Sequence, residues 1–207
     1  MHGTETILGC DVDQDGRTDI LANLYNRSVP VHYFAYVGLE NSESGFEKRI
    51  LGHHGRGHGC GYGDLNIDGR PDFIWGHAHD FGLYCVEQTR DSAGRVAWIE
   101  HLIDDTYSQI HCPAYVDMDG DGTKDIVAGK RYRGHAGGDP GANEPLCLFW
   151  YKVTKGPAPR FTKYILSYDE NIGTGMNFKV IDIDFDGDKD IVTPGKSGLY
   201  LFTNTTR

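Results

Sequence analysis

Apolar positions fall in short runs separated by polar and glycine-rich stretches, and no segment keeps a 3.6-residue helical period. One set of runs, Val31 to Val37, Leu83 to Val86, Leu146 to Val153 and Leu199 to Phe202, is rich in β-branched and aromatic residues and bounded by Gly, Pro, Asn or Ser. That composition predicts strands. A second set starts on an aromatic residue and ends on an apolar pair: Phe46 to Leu51, Trp98 to Ile103 and Phe161 to Leu166. Between these sets a polar motif, Asp-x-Asp/Asn-x-Asp-Gly-x-x-Asp plus an apolar residue, occurs four times. Its first aspartates are 53, 53 and 65 residues apart. Each unit reads as four strands: one entering the Asp loop, one leaving it, an aromatic strand and an outer amphipathic strand. Four-stranded antiparallel units at this period predict an all-β chain, a β-propeller of four blades over about 1–52, 53–104, 105–170 and 171–207. The longer third interval reflects an insertion, about Tyr132 to Glu144, between the second and third strands of that unit. The fourth unit stops after its third strand. The expectation is a short ring that closes imperfectly, or blade edges that pair with another copy of the chain, since open strand edges invite association.

The motif itself specifies a cation. Calcium takes six to eight oxygens, and alternating aspartates in a tight loop aim several carboxylates at one centre, with glycine permitting the turn. The expected ligands are Asp11, Asp13, Asp15 and Asp19; Asp64, Asn66, Asp68 and Asp72; Asp117, Asp119, Asp121 and Asp125; and Asp182, Asp184, Asp186 and Asp190. The last aspartate of each set is expected to close the cage. A strand follows each loop, unlike the helix-flanked EF-hand.

Charge is best read after the loops. The formal net charge is −10, but fifteen of the 30 acidic residues occupy the ligand positions of the motifs, and four Ca²⁺ would bring the sum to −2. An acidic chain is a poor partner for nucleic acid. No apolar run is long enough to cross a bilayer. Met1 to Cys10 has neither the basic nor the apolar region of a signal peptide, although calcium loops suit an extracellular or secretory setting. Cys10, Cys60, Cys85, Cys112 and Cys147 lack zinc-finger or CxxC spacing and read as free thiols packed in strands, with one disulfide as the alternative.

Strand parity places the remaining polar residues. If the Asp loops join first and second strands on one face, then second-to-third connections and blade-to-blade connections lie on the other. That face collects His53, His54, His58, Gln109 and His111 before inner strands. Its second-to-third loops carry His77, His79 and Asp80, then Lys130, Arg131, Arg133, His135 and Asp139, then Lys196. His58 and His111 each stand six residues before the first aspartate of their loops, so they occupy equivalent sites. Imidazoles converging from separate strands bind zinc or a similar divalent transition metal, here from His58, His77, His79 and His111. They also serve as general acids and bases near neutral pH.

The Asp loops resemble the FG-GAP or VCBS repeats of calcium-binding propellers. Five stretches are similar to the propeller domain of the aldos-2-ulose dehydratase/isomerase (1,5-anhydrofructose dehydratase) family. They are Gly57 to Asp64, Gly76 to Tyr84, Ile103 to His111, Gly129-Lys-Arg-Tyr132 and Gly195-Lys-Ser-Gly-Leu-Tyr200. Propellers of that family have seven blades, against four motifs here. The resemblance implies a metal-dependent carbon–oxygen lyase or isomerase acting on a keto-sugar. A metal held by the histidines would polarise the carbonyl, His79 or His135 would remove the α-proton, and Lys130 or Arg131 would hold a hydroxyl or carboxylate. The alternative is a non-catalytic, lectin-like propeller that binds glycan or protein and stacks sugars on Tyr25, Tyr107 or Tyr132.

Overall fold

The computed structural model describes residues 4–24, 30–54 and 58–205. Tyr25 and the side chains of His53 and His54 fall outside that description. Four antiparallel sheets follow one another along the chain. The first holds β1 (Thr4–Cys10), β2 (Asp19–Leu24), β3 (Pro30–Tyr36) and β4 (Phe46–His54). The second holds β5 (Cys60–Gly63), β6 (Asp72–Gly76), β7 (Phe81–Arg90) and β8 (Val96–Ser108). The third holds β9 (Ala114–Val116), β10 (Asp125–Gly129), β11 (Cys147–Thr154) and β12 (Arg160–Tyr168). The fourth has three strands among the described residues, β13 (Lys179–Ile181), β14 (Asp190–Gly195) and β15 (Gly198–Phe202). Strands are hydrogen-bonded in sequence order within every sheet. The first strands stand side by side, β1 against β5, β5 against β9 and β9 against β13. This is the blade arrangement of a propeller-type domain.

The alternation of side chains explains why the blades stack. In β6, Ile74 points to one face and packs with Ile126, Ala128 and Phe149 of the third sheet. Phe73 and Trp75 point to the other face and pack with Leu21, Tyr33 and Leu51 of the first. In β10, Ile126 and Ala128 face back while Val127 faces forward to Phe178 and Ile191. Both faces of a middle strand are therefore covered, which is why β6 and β10 read as unbroken apolar runs. Each such side chain contributes about 1.5–3 kcal/mol on burial. At Gly76 the next connection comes so close that an added Cβ would lie 2.1 Å from Ile110 Cγ2. Only glycine fits there. The five cysteines are free thiols, with Cys10, Cys85 and Cys147 buried in strands.

β8 runs further than its apolar pattern indicates because its end is held by polar contacts. Asp104 accepts hydrogen bonds from Tyr151 Oη at 2.7 Å, Thr106 N at 2.8 Å and Thr106 Oγ1 at 2.7 Å, and pairs with Lys163 Nζ at 2.7 Å. Lys163 also lies 3.8 Å from the centre of the Phe149 ring. This cluster bridges the second and third blades. Burial alone would raise the Asp104 carboxyl, but Lys163, Tyr151 and Thr106 together hold it below its ordinary value of 3.8.

Because the folded value is depressed, this stabilisation is present above pH 3.8 and is lost as pH falls through the folded value. Asp104→Asn is expected to destabilise the protein by about 2 kcal/mol near neutral pH. In urea melts the gap between wild type and variant should shrink in acid. A gap that stays constant down to acid pH would contradict the role given to the Lys163 pair.

Candidate metal and substrate site

The Asp loops are folded by their own carboxylates. Asp11 accepts from Asp15 N at 3.1 Å and Gly16 N at 2.9 Å, and Asp64 accepts from Asp68 N at 3.2 Å and Gly69 N at 3.0 Å. Asp117 accepts from Gly120 N and Gly122 N, each at 2.9 Å, and Asp182 from Gly187 N at 3.0 Å. Two residues per loop are left-handed: the sixth, always glycine, and the fourth, which is Gln14, Ile67, Gly120 or Phe185. Three loops hold carboxylates close enough to share an ion: Asp11, Asp13 and Asp15; Asp117, Asp119 and Asp121; Asp182, Asp184 and Asp190. In the second loop Arg70 lies against Asp68, and Asn66 Nδ2 donates to Asp68 Oδ2 at 2.9 Å and Glu87 Oε1 at 3.1 Å.

The last aspartate of each motif has a further task that spacing did not reveal. All four are buried. Asp19 accepts from Val12 N and Tyr36 N, Asp72 from Leu65 N and Gln88 N, and Asp190 from Ile183 N and Asn204 N, every one at 2.9 Å. Asp125 accepts from Val153 N and Trp150 Nε1, both at 2.9 Å. Each therefore clasps the third strand or, in the fourth blade, Asn204 two residues past it, and three of them also clasp the second residue of their own loop through a 2.9 Å bond. Asp19 and Asp125 stand outside the close carboxylate groups, and Asp190 stands inside one.

On the opposite face three imidazoles meet. His58 precedes β5, His79 lies between β6 and β7, and His111 lies between β8 and β9. One ring nitrogen of each falls within 4.8 Å of the others. The rings of His58 and His111 stack at 4.7 Å, and His79 lies 5.5 Å from His111 and 5.9 Å from His58 between centroids. His111 Nδ1 is 2.9 Å from Gln109 O, a carbonyl that can only accept, so Nδ1 carries the proton and Nε2 the lone pair. Arg131 Nη1 donates to that Nε2 at 3.1 Å. His79 Nδ1 meets Asp139 Oδ2 at 3.1 Å, which likewise assigns the proton to Nδ1. Burial, with smaller contributions from His58, Arg131 and His79, pulls His111 down to about 3, so its ring is neutral at physiological pH.

A second set shares His79. Asp139 also meets His135 Nδ1 through Oδ1 at 3.0 Å, and the His79 and His135 rings stack at 4.5 Å. Burial works to raise Asp139, but hydrogen bonds from His135 and His79 outweigh it and keep the carboxyl below its usual range. The loop presenting His135 is strained. Arg133, His135 and Ala136 all have positive φ, and so does Gln109, which is fully buried and receives Gly134 N on Oε1 at 2.8 Å. Each such residue costs on the order of 1–3 kcal/mol, and strain of this kind concentrates at working sites.

Other expected site residues lie elsewhere. Lys130 is fully buried, its Nζ donating to Ser108 Oγ at 3.0 Å and to the Gly141 carbonyl, where it pins the insertion to β8. Burial lowers its pKa. His77 is buried and belongs to neither histidine group, its backbone tied to Gly82 and Ile110. Tyr107 is in the core, edge-on to Phe149 at 5.0 Å, so the expectation that it stacks sugars is corrected. Tyr132 is 40% exposed. The supporting roles of Asp139 and the Gln109 carbonyl carried no spacing signal, because their partners are set by the tertiary fold.

The clasp predicts that Asp125→Asn lowers stability by about 1–2 kcal/mol equally in calcium and in chelator, since one acceptor becomes a donor facing a donor. Thermal melts of the variant in both buffers test this. A loss confined to calcium would make Asp125 a ligand and not a clasp.

Residues 11–75 match the family model described as the FG-GAP-like repeat, a span reaching from the first Asp loop through the second. No curated protein matches the chain. The matched repeat and the four antiparallel sheets in sequence order fit a propeller-like fold of the FG-GAP type.

Proposed function

We propose that the protein is a metal-dependent lyase of the dehydratase or isomerase type that acts on a keto-sugar or sugar-like substrate. The observation that carries this reading is the convergence of His58, His79 and His111 within 4.8 Å from three separate connections. Three imidazoles from separate connections match the donor set of catalytic zinc and related ions, which keep a further position for water or substrate. The surroundings fit: Asp139 and the Gln109 carbonyl fix the Nδ1 protons of His79 and His111, as outer partners of metal-bound histidines do. A divalent ion held there would polarise a substrate carbonyl and so acidify the adjacent C–H bond.

His135 is then the base. Its side chain is 63% exposed, and Asp139 Oδ1 holds Nδ1 at 3.0 Å, which leaves Nε2 to take a proton. The α C–H bond breaks toward His135 Nε2 and its electron pair forms the carbon–carbon double bond. The β C–O bond breaks, and the proton taken by His135 returns to the departing hydroxyl, which leaves as water. The resemblance of Gly57 to Asp64 and Gly76 to Tyr84 to the aldos-2-ulose dehydratase/isomerase propeller would imply the same reaction class. On the other face, the three carboxylate groups suit Ca²⁺, a hard ion that prefers oxygen ligands. A non-catalytic sugar-binding reading is favoured by exposed Tyr132 alone; it predicts binding without turnover.

The test is conversion of 1,5-anhydrofructose, followed by the near-ultraviolet absorbance of the conjugated enone. His58→Ala and His135→Asn are each expected to reduce turnover by about 10²-fold or more. Melting temperatures should stay within about 2 °C of wild type, as both residues are partly exposed. Unchanged turnover in both variants would reject the reading.

A further inference from the structure

Beside the histidines lies a cavity of ≈ 450 Å³ lined by Arg131, Tyr132, Met176, Asn177, Lys196 and the backbone around Gly175 and Pro194. No carboxylate lines it. Three cations on the Asp-loop face are paired: Arg49 with Asp13 at 2.6 Å, Arg70 with Asp68, and Lys152 with Asp121 at 3.0 Å. Arg131 and Lys196 have no ion pair among the described residues. Arg131 Nη1 donates to the ring of His111, and Lys196 Nζ reaches the Arg133 carbonyl at 3.4 Å. Asp139, a neighbouring carboxylate, is already engaged by His79 and His135. In a chain of net charge −10, two unneutralised cations on one cavity are a local reversal of sign.

We infer that this cavity is an anion-binding subsite and that the substrate is an acidic sugar, its carboxylate held between Arg131 and Lys196. The planar guanidinium matches a carboxylate in two-point contact, while the ammonium adds a point charge. Tyr132 offers a partly exposed ring to the apolar face of a sugar, and the Asn177 amide can bond its hydroxyls. Arg131 touches His111 directly, so a carboxylate drawn to Arg131 brings the neighbouring carbons to the histidines. The assignment of substrate rests on the lyase reading for its chemistry, but the binding itself does not.

Calorimetric titration of the full chain with D-glucuronate and with D-glucose, in calcium and low salt, tests this. Glucuronate is expected to bind at least about tenfold more tightly than glucose. The preference should weaken at high salt and fall by about tenfold in Lys196→Gln, a change at an exposed hairpin whose fold is checked by circular dichroism. Equal affinities for the two sugars, or an unaltered preference in Lys196→Gln and Lys196→Glu, would overturn the proposal. Glucose 6-phosphate separates the anions: tighter binding of glucuronate supports the carboxylate, and a preference for the phosphate ester contradicts it. The titration reads binding alone, so glucuronate binding leaves the subsite standing even if the separate turnover test rejects the lyase reading.

Discussion

The aspartate that ends each motif is the constraint on which the blades depend. Its two oxygens accept protein N–H groups from the third strand of the same blade, or in the fourth blade from Asn204 just beyond it, and, through 2.9 Å bonds in three of the blades, from the turn before the second strand. A buried carboxylate is costly unless it is satisfied this way, and the geometry leaves little freedom in how the three segments meet. With one face fixed by four such loops, antiparallel strand direction forces the other connections onto the opposite face. The histidines converge there as a consequence.

The two faces differ in chemistry as well as position. The Asp-loop face concentrates oxygen donors, with Arg49, Arg70 and Lys152 set against them. The histidine face concentrates nitrogen donors, backed by Asp139, the Gln109 carbonyl and a loop held in left-handed backbone. Hard and borderline cations would sort between such faces by ligand type alone. On the histidine face Arg131 donates to the same His111 lone pair that an ion would take, so cation and guanidinium compete for one atom.

Much of this was legible in the sequence where a period or register carried it. The strand runs at Val31, Leu83, Leu146 and Leu199 became β3, β7, β11 and β15, and the insertion lies between β10 and β11. The equal offset of His58 and His111 from their loops placed the two rings together because equivalent offsets on successive inner strands end at the same height. Other features had no local signal. Gln14, Ile67 and Phe185 are poor left-handed residues, so the fourth position of the loop could not be read from their identity. Lys130 looked like a substrate contact but is drawn under the insertion by Ser108 and Gly141. Tyr107 looked like surface, yet β8 extends far enough to carry it into the core beside Phe149.

The most direct measurement is titration of the chelator-stripped protein with Co²⁺ in calcium-replete buffer, read by visible absorption. The account predicts saturable uptake of a single Co²⁺ with the intense bands of a tetrahedral, nitrogen-rich site, absent in His79→Ala. Titration that ends without such bands, or bands unaffected by that substitution, would contradict it.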